Sequence, residues 1–401
     1  MIRALNVVCK RFLIVFGMVF YGCIEPFETT FVDFESALVI EATITNELKR
    51  QKIILTKTYQ FEADGPTPET NADVSVTDTS GNTYDFQHTE NGIYLSSLAF
   101  AAQEGRAYEL SVTTPDGKSY GSSSVPFSQG TDIDQISAER ITNDDGRDGM
   151  AILVNSFDAT GNSKNYRYEY EETYRVIAPK WYPTMLIGDP EPNSGCNVIK
   201  VANNQNEQVC YPTDYSNTII LTSTDDLVED RVSNFMVRFI SRDNYILSHR
   251  YSILIRQYVL SNEAYTFFER LNELSSSESL LSQIQPGFLQ GNVFSKNNSG
   301  ERVLGFFDVS SVSEQRIFFN YDDFYPGEPL PPYVDPCNES APVIANMGGC
   351  VLRPIIEVRA GVYVGDNDSE DPNEGPYRIV TRVCGDCSVL GTAEVPEFWE
   401  E

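Results

Sequence analysis

Cysteines carry most of the chemistry that this sequence can perform. Cys23 follows Tyr21 and Gly22 at the end of an apolar run, Phe12 to Phe20, and three basic residues precede that run. This order is typical of a secretory signal peptide, and the run is shorter than the roughly 20 residues of a membrane-spanning helix. A cysteine at the cleavage point is the residue that bacterial lipoprotein processing diacylates. We therefore predict a signal peptide over residues 1–22, lipidation of Cys23 and a tether over residues 23–36.

The cysteines beyond the tether predict disulfide bonds. An even number of cysteines in an exported chain favours complete pairing, although six cysteines allow 15 connectivities. Pairing of sequence neighbours gives Cys196–Cys210, Cys337–Cys350 and Cys384–Cys387 as the simplest expectation. The spacing of Cys384-Gly385-Asp386-Cys387 also fits a redox motif. However, no helix start that would lower a thiol pKa is evident there, so a structural disulfide is favoured.

One acidic loop is the candidate metal site. Asp366, Asp368 and Glu370 alternate with other residues, and oxygen ligands of this kind suit Ca²⁺. The loop lacks the twelve-residue geometry with a closing glutamate, so the main expectation is a solvated loop. We predict no cofactor besides the lipid on Cys23 and keep calcium as a weaker alternative.

Catalytic motifs are not recognisable in the sequence. The two histidines, His88 and His249, lie beside no nucleophile motif and show no metal-ligand spacing. A Gly-rich phosphate loop before a helix is also missing. With 58 acidic residues, the sequence leaves open the facing carboxylates of a glycoside hydrolase, which is the last of our alternatives. We therefore expect a non-enzymatic protein.

The chain is strongly acidic. Its formal net charge is −29, and removal of Arg3, Lys10 and Arg11 with the signal peptide leaves 26 basic against 58 acidic residues, a net charge of −32. Such a surface repels nucleic acid and anionic headgroups. We therefore expect no nucleic-acid partner.

The elements that must position these residues are mostly strands. Short alternating segments recur between Gly, Asn and Pro turns, for example Leu38 to Ile44, Tyr251 to Leu260 and Ile355 to Val364. They predict an all-β protein, mainly β-sandwich, with one sandwich over residues 37–127 and a larger disulfide-containing β domain over 128–401. One helix is predicted near 261–275, capped by Ser261. Its apolar face should pack on a sheet and consists of Ala264, Phe267, Phe268, Leu271 and Leu274.

Four stretches together carry a family resemblance. They are Cys23-Ile24-Glu25-Pro26-Phe27-Glu28; Ile255-Arg256-Gln257-Tyr258 with Ser261-Asn262-Glu263-Ala264-Tyr265; Gly291-Asn292-Val293 with Leu304-Gly305-Phe306-Phe307-Asp308-Val309-Ser310; and Cys384-Gly385-Asp386-Cys387 with Pro396-Glu397-Phe398-Trp399. In this order they resemble a family of Bacteroidota outer-membrane lipoproteins, domain of unknown function family 4249. None of these motifs is catalytic.

The resemblance implies a place in the cell and a role. Such families are commonly encoded beside TonB-dependent receptors, which implies an accessory subunit of a TonB-dependent β-barrel complex, anchored in the outer-membrane leaflet through Cys23. It also implies that the first domain is immunoglobulin-like or carboxypeptidase-regulatory-like. We expect the body to face the cell surface, with the periplasmic face as the alternative. Two other functions remain open: a structural subunit of a larger outer-membrane assembly or motility machine, and a free-standing carbohydrate- or peptide-binding protein.

Overall fold

Strands dominate the described part of the chain. The computed structural model describes residues 36–59, 65–127, 130–191, 195–276 and 289–401. Strands make up 46% and helices 10%, which confirms the predicted all-β class. The predicted signal peptide, Cys23 and the tether up to residue 35 lie outside the described residues. In the described ranges no helix is long and apolar enough to cross a membrane.

The first sandwich begins with nine strands. They are β1 (Leu38–Thr45), β2 (Lys52–Lys57), β3 (Thr67–Pro68), β4 (Asp73–Asp78), β5 (Thr83–His88), β6 (Ile93–Ser96), β7 (Ala107–Thr113), β8 (Ser119–Ser122) and β9 (Val125–Pro126). Their apolar residues alternate along each strand, as in β1, where Leu38, Ile40, Ala42 and Ile44 are buried. These side chains form one core with the inward residues of the other strands.

Two strands from much later in the chain complete this sandwich. β21 (Val293–Ser295) pairs antiparallel with β8, and the first half of β22 (Val303–Asn320) pairs parallel with β1. Val293, Val303 and Phe307 enter the same core. The boundary placed near residue 127 leaves these strands out, because a pairing between residues 265 positions apart in sequence gives no local signal.

The second sandwich packs two sheets face to face. One sheet contains β10 (Gln135–Thr142), β11 (Asp148–Phe157) and β19 (Arg231–Ser241), and the other contains β17 (Thr213–Tyr215), β18 (Ile220–Ser223), β12 (Asn165–Tyr174), β20 (Arg250–Leu260) and the second half of β22. Their core is rich in tyrosine, including the buried Tyr166, Tyr168 and Tyr251. β22 thus belongs to both sandwiches, and a single continuous sheet path, β12-β20-β22-β1-β2, runs from one into the other.

The predicted helix is present as α1 (Asn262–Ser276). The hydroxyl oxygen of Ser261 accepts a hydrogen bond of 3.1 Å from the Ala264 N–H, which confirms the predicted cap. Ala264 and Phe267 are buried against Tyr258 and Phe306. Leu271 and Leu274, by contrast, are 36% and 39% exposed, so the end of the apolar stripe is not core.

A smaller C-terminal lobe has its own core. It contains the hairpins β14 (Thr184–Gly188) with β15 (Val198–Ala202) and β25 (Gly361–Asp366) with β26 (Tyr377–Thr381). The remaining short elements are β13 (Val176–Ile177), β16 (Val209–Cys210), α2 (Tyr321–Phe324), β23 (Ala345–Asn346), β24 (Gly349–Cys350), α3 (Leu352–Glu357) and α4 (Arg382–Gly385), with 3₁₀ turns at Tyr245–Leu247 and Cys387–Val389. Leu186, Leu352 and Tyr363 meet in the lobe's core.

All six predicted disulfide cysteines are paired, but the predicted pairing of neighbours is wrong. The bonds are Cys196–Cys350, Cys210–Cys387 and Cys337–Cys384, with sequence separations of 154, 177 and 47 residues. The tertiary fold, and not local spacing, determines which cysteines meet. Cys384 and Cys387 have different partners, so they form no redox pair with each other.

The turn that carries Cys384 and Cys387 is fixed by ion pairs. Asp386 is fully buried between Arg382, at 2.7 Å, and Arg359, at 3.2 Å. Burial alone would raise the pKa of Asp386, but hydrogen bonds from Ser388 and Arg382 outweigh it and lower that pKa. Asp386 therefore stays ionised and holds both cysteines in place for their separate partners.

Candidate functional site

A large cavity lies on the sheet path shared by the two sandwiches. It is a groove of about 750 Å³, within the size range of ligand sites. Its floor consists of the side chains that point away from the first core, among them Val39, Glu41, Ile54 and Leu304. Because strand side chains alternate, burial of Ile40 and Ala42 in that core forces Val39 and Glu41 into the groove.

Helix α1 forms one wall of the groove. Phe267, Phe268 and Leu271 line it, and Phe306 of β22 faces them from the sheet. The ring centroids of Phe267 and Phe306 are 5.0 Å apart, and those of Phe268 and Phe306 are 6.3 Å apart. Leu271, one of the two exposed residues of the predicted apolar stripe, therefore lines this groove.

Arg167 is the central charged group of the groove. Its guanidinium carbon lies 4.5 Å from the ring centroid of Tyr258 and 4.7 Å from that of Phe268, so it stacks between two aromatic rings. Its Nη1 donates to Glu169 over 2.8 Å, while its buried Nε has no hydrogen-bond partner among the described residues. The Tyr258 hydroxyl also donates to Glu169, over 3.0 Å. Burial and the nearby Glu169 raise the pKa of Tyr258, so it stays protonated and can donate.

The charge of the lining differs from that of the chain as a whole. Four basic side chains line the groove (Lys49, Lys52, Arg167 and Arg256) against two acidic ones (Glu41 and Glu169). Arg256 pairs with Glu314 over 3.1 Å and Lys49 pairs with Glu47. The exposed ammonium group of Lys52 has no ion pair within the described ranges. With Glu47 and Glu314 counted, basic and acidic side chains balance here, so this surface is close to neutral in a chain of net charge −29.

A second cavity of about 320 Å³ extends the groove along β12. It shares Arg167, Glu169 and Arg256 with the first and adds Tyr215, whose side chain is 65% exposed. The two cavities together form one trough across the strands. Every floor strand has neighbours on both sides, so a ligand would be held by side chains and not by added strand pairing.

Two of the four stretches that suggested the family resemblance contribute residues to this groove. Arg256 and Tyr258 supply floor residues, Ser261 starts the helical wall, and Leu304, Gly305 and Phe306 supply the opposite edge. Gly305 has a positive φ of 109°, and a Cβ there would overlap the carbonyl oxygen of Ile40 in β1. Only glycine allows β22 to lie this close to β1.

The candidate calcium ligands do not assemble into a site. Asp366 instead accepts a hydrogen bond of 2.7 Å from the Tyr363 hydroxyl and pairs with Lys200. These hydrogen bonds, chiefly that from Lys200, lower the pKa of Asp366. Asp368 and Glu370 do not join it in any cluster of three ligand atoms among the described residues. One such cluster is present, Asp335 with Cys337 and Cys384, but both cysteines are consumed by their disulfide bond.

The two histidines lie in different parts of the fold. His88 ends β5, with its ring 5.2 Å from that of Tyr94. His249 precedes β20, where burial, followed by the nearby Arg175, lowers its pKa. Neither histidine lines the groove.

The groove itself was missed by the sequence analysis. Most of its residues come from β1, β2, β12, β20, β22 and α1. Because these elements are far apart in sequence, no local residue pattern predicts the groove. One usable signal was present: the apolar stripe of α1 continues to Leu271, which lines the groove.

Comparison with models of known protein families identifies the family of this chain. A model of the family described as "Domain of unknown function (DUF4249)" matches residues 24–316. The chain belongs to this family. The match covers β1 to β20, α1, β21 and most of β22, so DUF4249 includes every residue that lines the groove. The stretch from Cys384 to Trp399 lies beyond the matched residues.

Other comparisons add little to DUF4249 membership. No curated protein matches the chain in sequence. A DUF4785 family protein from Legionella pneumophila subsp. pneumophila str. Philadelphia 1 is similar at 8% identity and a TM-score of 0.17, covering 54% of this chain and 51% of that protein. The chain thus spans about half of that protein's length. The B domain of a biofilm associated protein is similar at 9% identity and a TM-score of 0.14, covering 70% of this chain and 85% of that domain.

Proposed function

We propose that the protein is a non-enzymatic accessory subunit of a TonB-dependent receptor complex, lipid-anchored to the outer membrane through Cys23. The observation that carries this proposal is the groove, which presents aromatic side chains on a nearly neutral surface of an otherwise acidic molecule. Aromatic residues and arginine are the side chains that most often dominate protein interfaces. A neutral or basic contact surface is also what a protein this acidic needs in order to approach a partner without like-charge repulsion.

The groove favours binding over chemistry. Its polar groups are Arg, Lys, Glu, Thr and Gln side chains, and Glu169 is engaged by both Arg167 and Tyr258. Arrangements that activate a nucleophile place it within hydrogen-bond reach of a base. The contacts around Arg167 instead fix the orientation of a cation between two rings. A cation oriented in this way is suited to recognising a partner group.

A second function is favoured by the same aromatic lining. A concave site with Phe268, Tyr258 and Tyr215 at its surface also suits a free-standing surface protein that captures a peptide or carbohydrate. In that case the groove would serve a ligand from outside the cell, and no stable barrel partner would be needed.

Affinity purification from native membranes distinguishes these functions. The accessory role predicts a stoichiometric TonB-dependent β-barrel in the eluate at both low and high salt, because apolar contacts are insensitive to screening. Recovery of the protein without any β-barrel at either salt concentration would contradict the accessory role and favour the free-standing binding protein. Recovery of a larger machine without a TonB-dependent barrel would favour a structural subunit of an outer-membrane assembly.

A further inference from the structure

The disulfide bonds of this chain differ in how far solvent reaches them. Both residues of Cys210–Cys387 are fully buried. In Cys196–Cys350, by contrast, Cys350 is exposed and Cys196 is half-buried. A disulfide bond is opened by a thiolate that attacks one of its sulfur atoms, so the rate depends on access to that sulfur. Cys196–Cys350 should therefore react with a thiol much faster than Cys210–Cys387 does.

The third bond has an electrostatic barrier to the same reaction. Cys337 is half-buried, but attack on its sulfur would expel the thiolate of Cys384. Cys384 is fully buried, and Oδ1 of Asp335 lies 3.4 Å from its sulfur. Burial and a neighbouring carboxylate both disfavour an anion, so this thiolate is a poor leaving group. The Cys337–Cys384 bond should therefore resist exchange.

Attack on Cys350 would instead release the thiolate of Cys196 near a cation. Arg353, in α3, donates a hydrogen bond of 2.7 Å from Nη1 to the carbonyl oxygen of Gly195, the residue before Cys196. Its Nε pairs with Glu357 over 2.7 Å, which holds the guanidinium in place and offsets part of its charge. The Glu357 side chain is 49% exposed, so water screens it. A nearby arginine favours the thiolate form of a cysteine, so the accessible bond also has the better leaving group.

The same bond holds an exposed hairpin. β23 and β24 pair through Ala345 with Cys350 and through Asn346 with Gly349, and every residue from 345 to 350 is exposed. Met347, at the turn, is fully exposed. A hairpin this short is not stable on its own in water. Its position therefore depends on the bond from Cys350 to Cys196.

We propose that Cys196–Cys350 is a thiol–disulfide exchange site that releases the β23–β24 hairpin under reducing conditions. The thiolate of a small thiol, or of a dithiol protein, attacks the sulfur of Cys350. The S–S bond breaks, and its electron pair leaves on the sulfur of Cys196, which takes a proton from water. A second thiolate attacks the mixed disulfide and releases Cys350, which is protonated in the same way.

The balance of this reaction is one disulfide for another. Two thiols of the reductant are oxidised to one disulfide, and Cys196 and Cys350 are reduced to two thiols. The inference goes beyond the proposed function, and it depends neither on the groove nor on the accessory role. The test can therefore fail without affecting either of them.

Timed reduction tests which bond opens first. The detergent-solubilised full-length protein is incubated with reduced glutathione, free thiols are blocked with N-ethylmaleimide at intervals, and the labelled peptides are identified by mass spectrometry. We expect Cys196 and Cys350 to be labelled at least about tenfold faster than the cysteines of the other two bonds. Equal rates for the three bonds, earlier opening of either other bond, or no labelling of Cys196 and Cys350 would overturn the proposal.

Two measurements test the direction of attack. Glutathione trapped by acid as a mixed disulfide should be found mainly on Cys350. Arg353→Gln should slow the opening at least about threefold, because the leaving thiolate loses its cation. Arg378→Gln is the matched control and should leave the rate within about 1.5-fold, since Arg378 also pairs with a glutamate and donates to a backbone carbonyl in this lobe. Glutathione mainly on Cys196, or equal effects of the two variants in folded protein, would overturn the assigned direction.

Hydrogen–deuterium exchange measures the release of the hairpin. Peptides that cover residues 343–351 should exchange faster after glutathione treatment, while peptides from β20 should not change. A Cys196→Ser, Cys350→Ser double variant should show the same fast exchange without glutathione. Unchanged exchange in the hairpin, or equally faster exchange in β20, would overturn the proposed local release.

Discussion

The side chain of Asn292 forms two hydrogen bonds with the backbone of Phe307. Its Oδ1 accepts from the Phe307 N–H over 2.8 Å, and its Nδ2 donates to the Phe307 carbonyl over 2.7 Å. These bonds satisfy the backbone N–H and carbonyl of Phe307, which a neighbouring strand would otherwise satisfy. Asn292 thus joins the start of β21 to β22, so the sheet path of the first sandwich returns close to where it began.

Replacement of Asn292 should destabilise the fold. Asn292→Ala leaves the N–H and carbonyl of Phe307 without these partners, and we expect a loss of about 2 to 4 kcal/mol in the free energy of unfolding. Asn298→Ala is the control, because the Asn298 side chain bonds only within its own exposed turn. Urea unfolding measures both. Equal midpoints for the two variants would show that the Asn292 bonds contribute nothing.

The sequence alone predicted the class of fold but not its connections. Alternation marked β20 as a strand and the stripe marked α1 as a helix, since both signals are local. The strand predicted over Ile355 to Val364 is wrong in its first part: Leu352–Glu357 form α3, in which Pro354 occupies the first turn, where its missing N–H is tolerated. No local pattern predicts that β22 belongs to both sandwiches, because β22 and its partner strand β1 are far apart in sequence.

The cysteines show the same limit. Their even number correctly predicted that all six are bonded, but sequence proximity gave the wrong partners. Cys210 lies on β16 and Cys387 lies in a 3₁₀ turn. These two elements are in contact in the fold although the two cysteines are 177 residues apart in sequence. The sequence did not predict the groove for a related reason: six elements that are separate in sequence contribute residues to it.

Disulfide mapping tests the connections directly. Peptide mapping without reduction should recover fragments that link Cys196 to Cys350, Cys210 to Cys387 and Cys337 to Cys384. A Cys337→Ser, Cys384→Ser double variant opens a loop of 47 residues, for which the chain-entropy model gives about 4 kcal/mol of lost stability. A fragment that links Cys384 to Cys387 would contradict the fold of the C-terminal lobe.

Asp308 predicts a dependence of stability on pH. Its side chain is buried in β22, and burial raises its pKa against the hydrogen bond from Ser310. A carboxyl whose folded-state pKa exceeds the unfolded value of about 3.9 binds its proton more tightly when folded. Its contribution is therefore favourable at low pH and is lost as pH rises through the folded-state pKa.

Substitution by asparagine isolates this effect. We expect Asp308→Asn to melt at a higher temperature than the wild-type protein at pH 7 and the difference to shrink as the pH falls toward about 4. Asp85→Asn, at an exposed position of β5, is the control and should change little at any pH. A difference for Asp308→Asn that is constant with pH would show that titration of Asp308 does not affect stability.

Lipidation of Cys23 predicts how the protein is retained. Two or three acyl chains anchor a protein stably, whereas one binds only marginally. Cys23→Ala should therefore release most of the protein into the soluble fraction after detergent-free lysis. Fractionation of cells that also lack the barrel partner is the matching control, because a tight partner alone would retain the variant. Protease treatment of intact cells then reports which side of the membrane the body faces.

The most direct test of the central claim, that the groove holds a partner protein, is photo-crosslinking in living cells. A benzoylphenylalanine residue replaces Leu271 in the groove or, as the control, Val228, which is fully exposed in a turn and does not line the groove. After irradiation, our account predicts a covalent adduct with a TonB-dependent β-barrel from position 271 and none from position 228. No barrel adduct from position 271, or equal adducts from both positions, would contradict it.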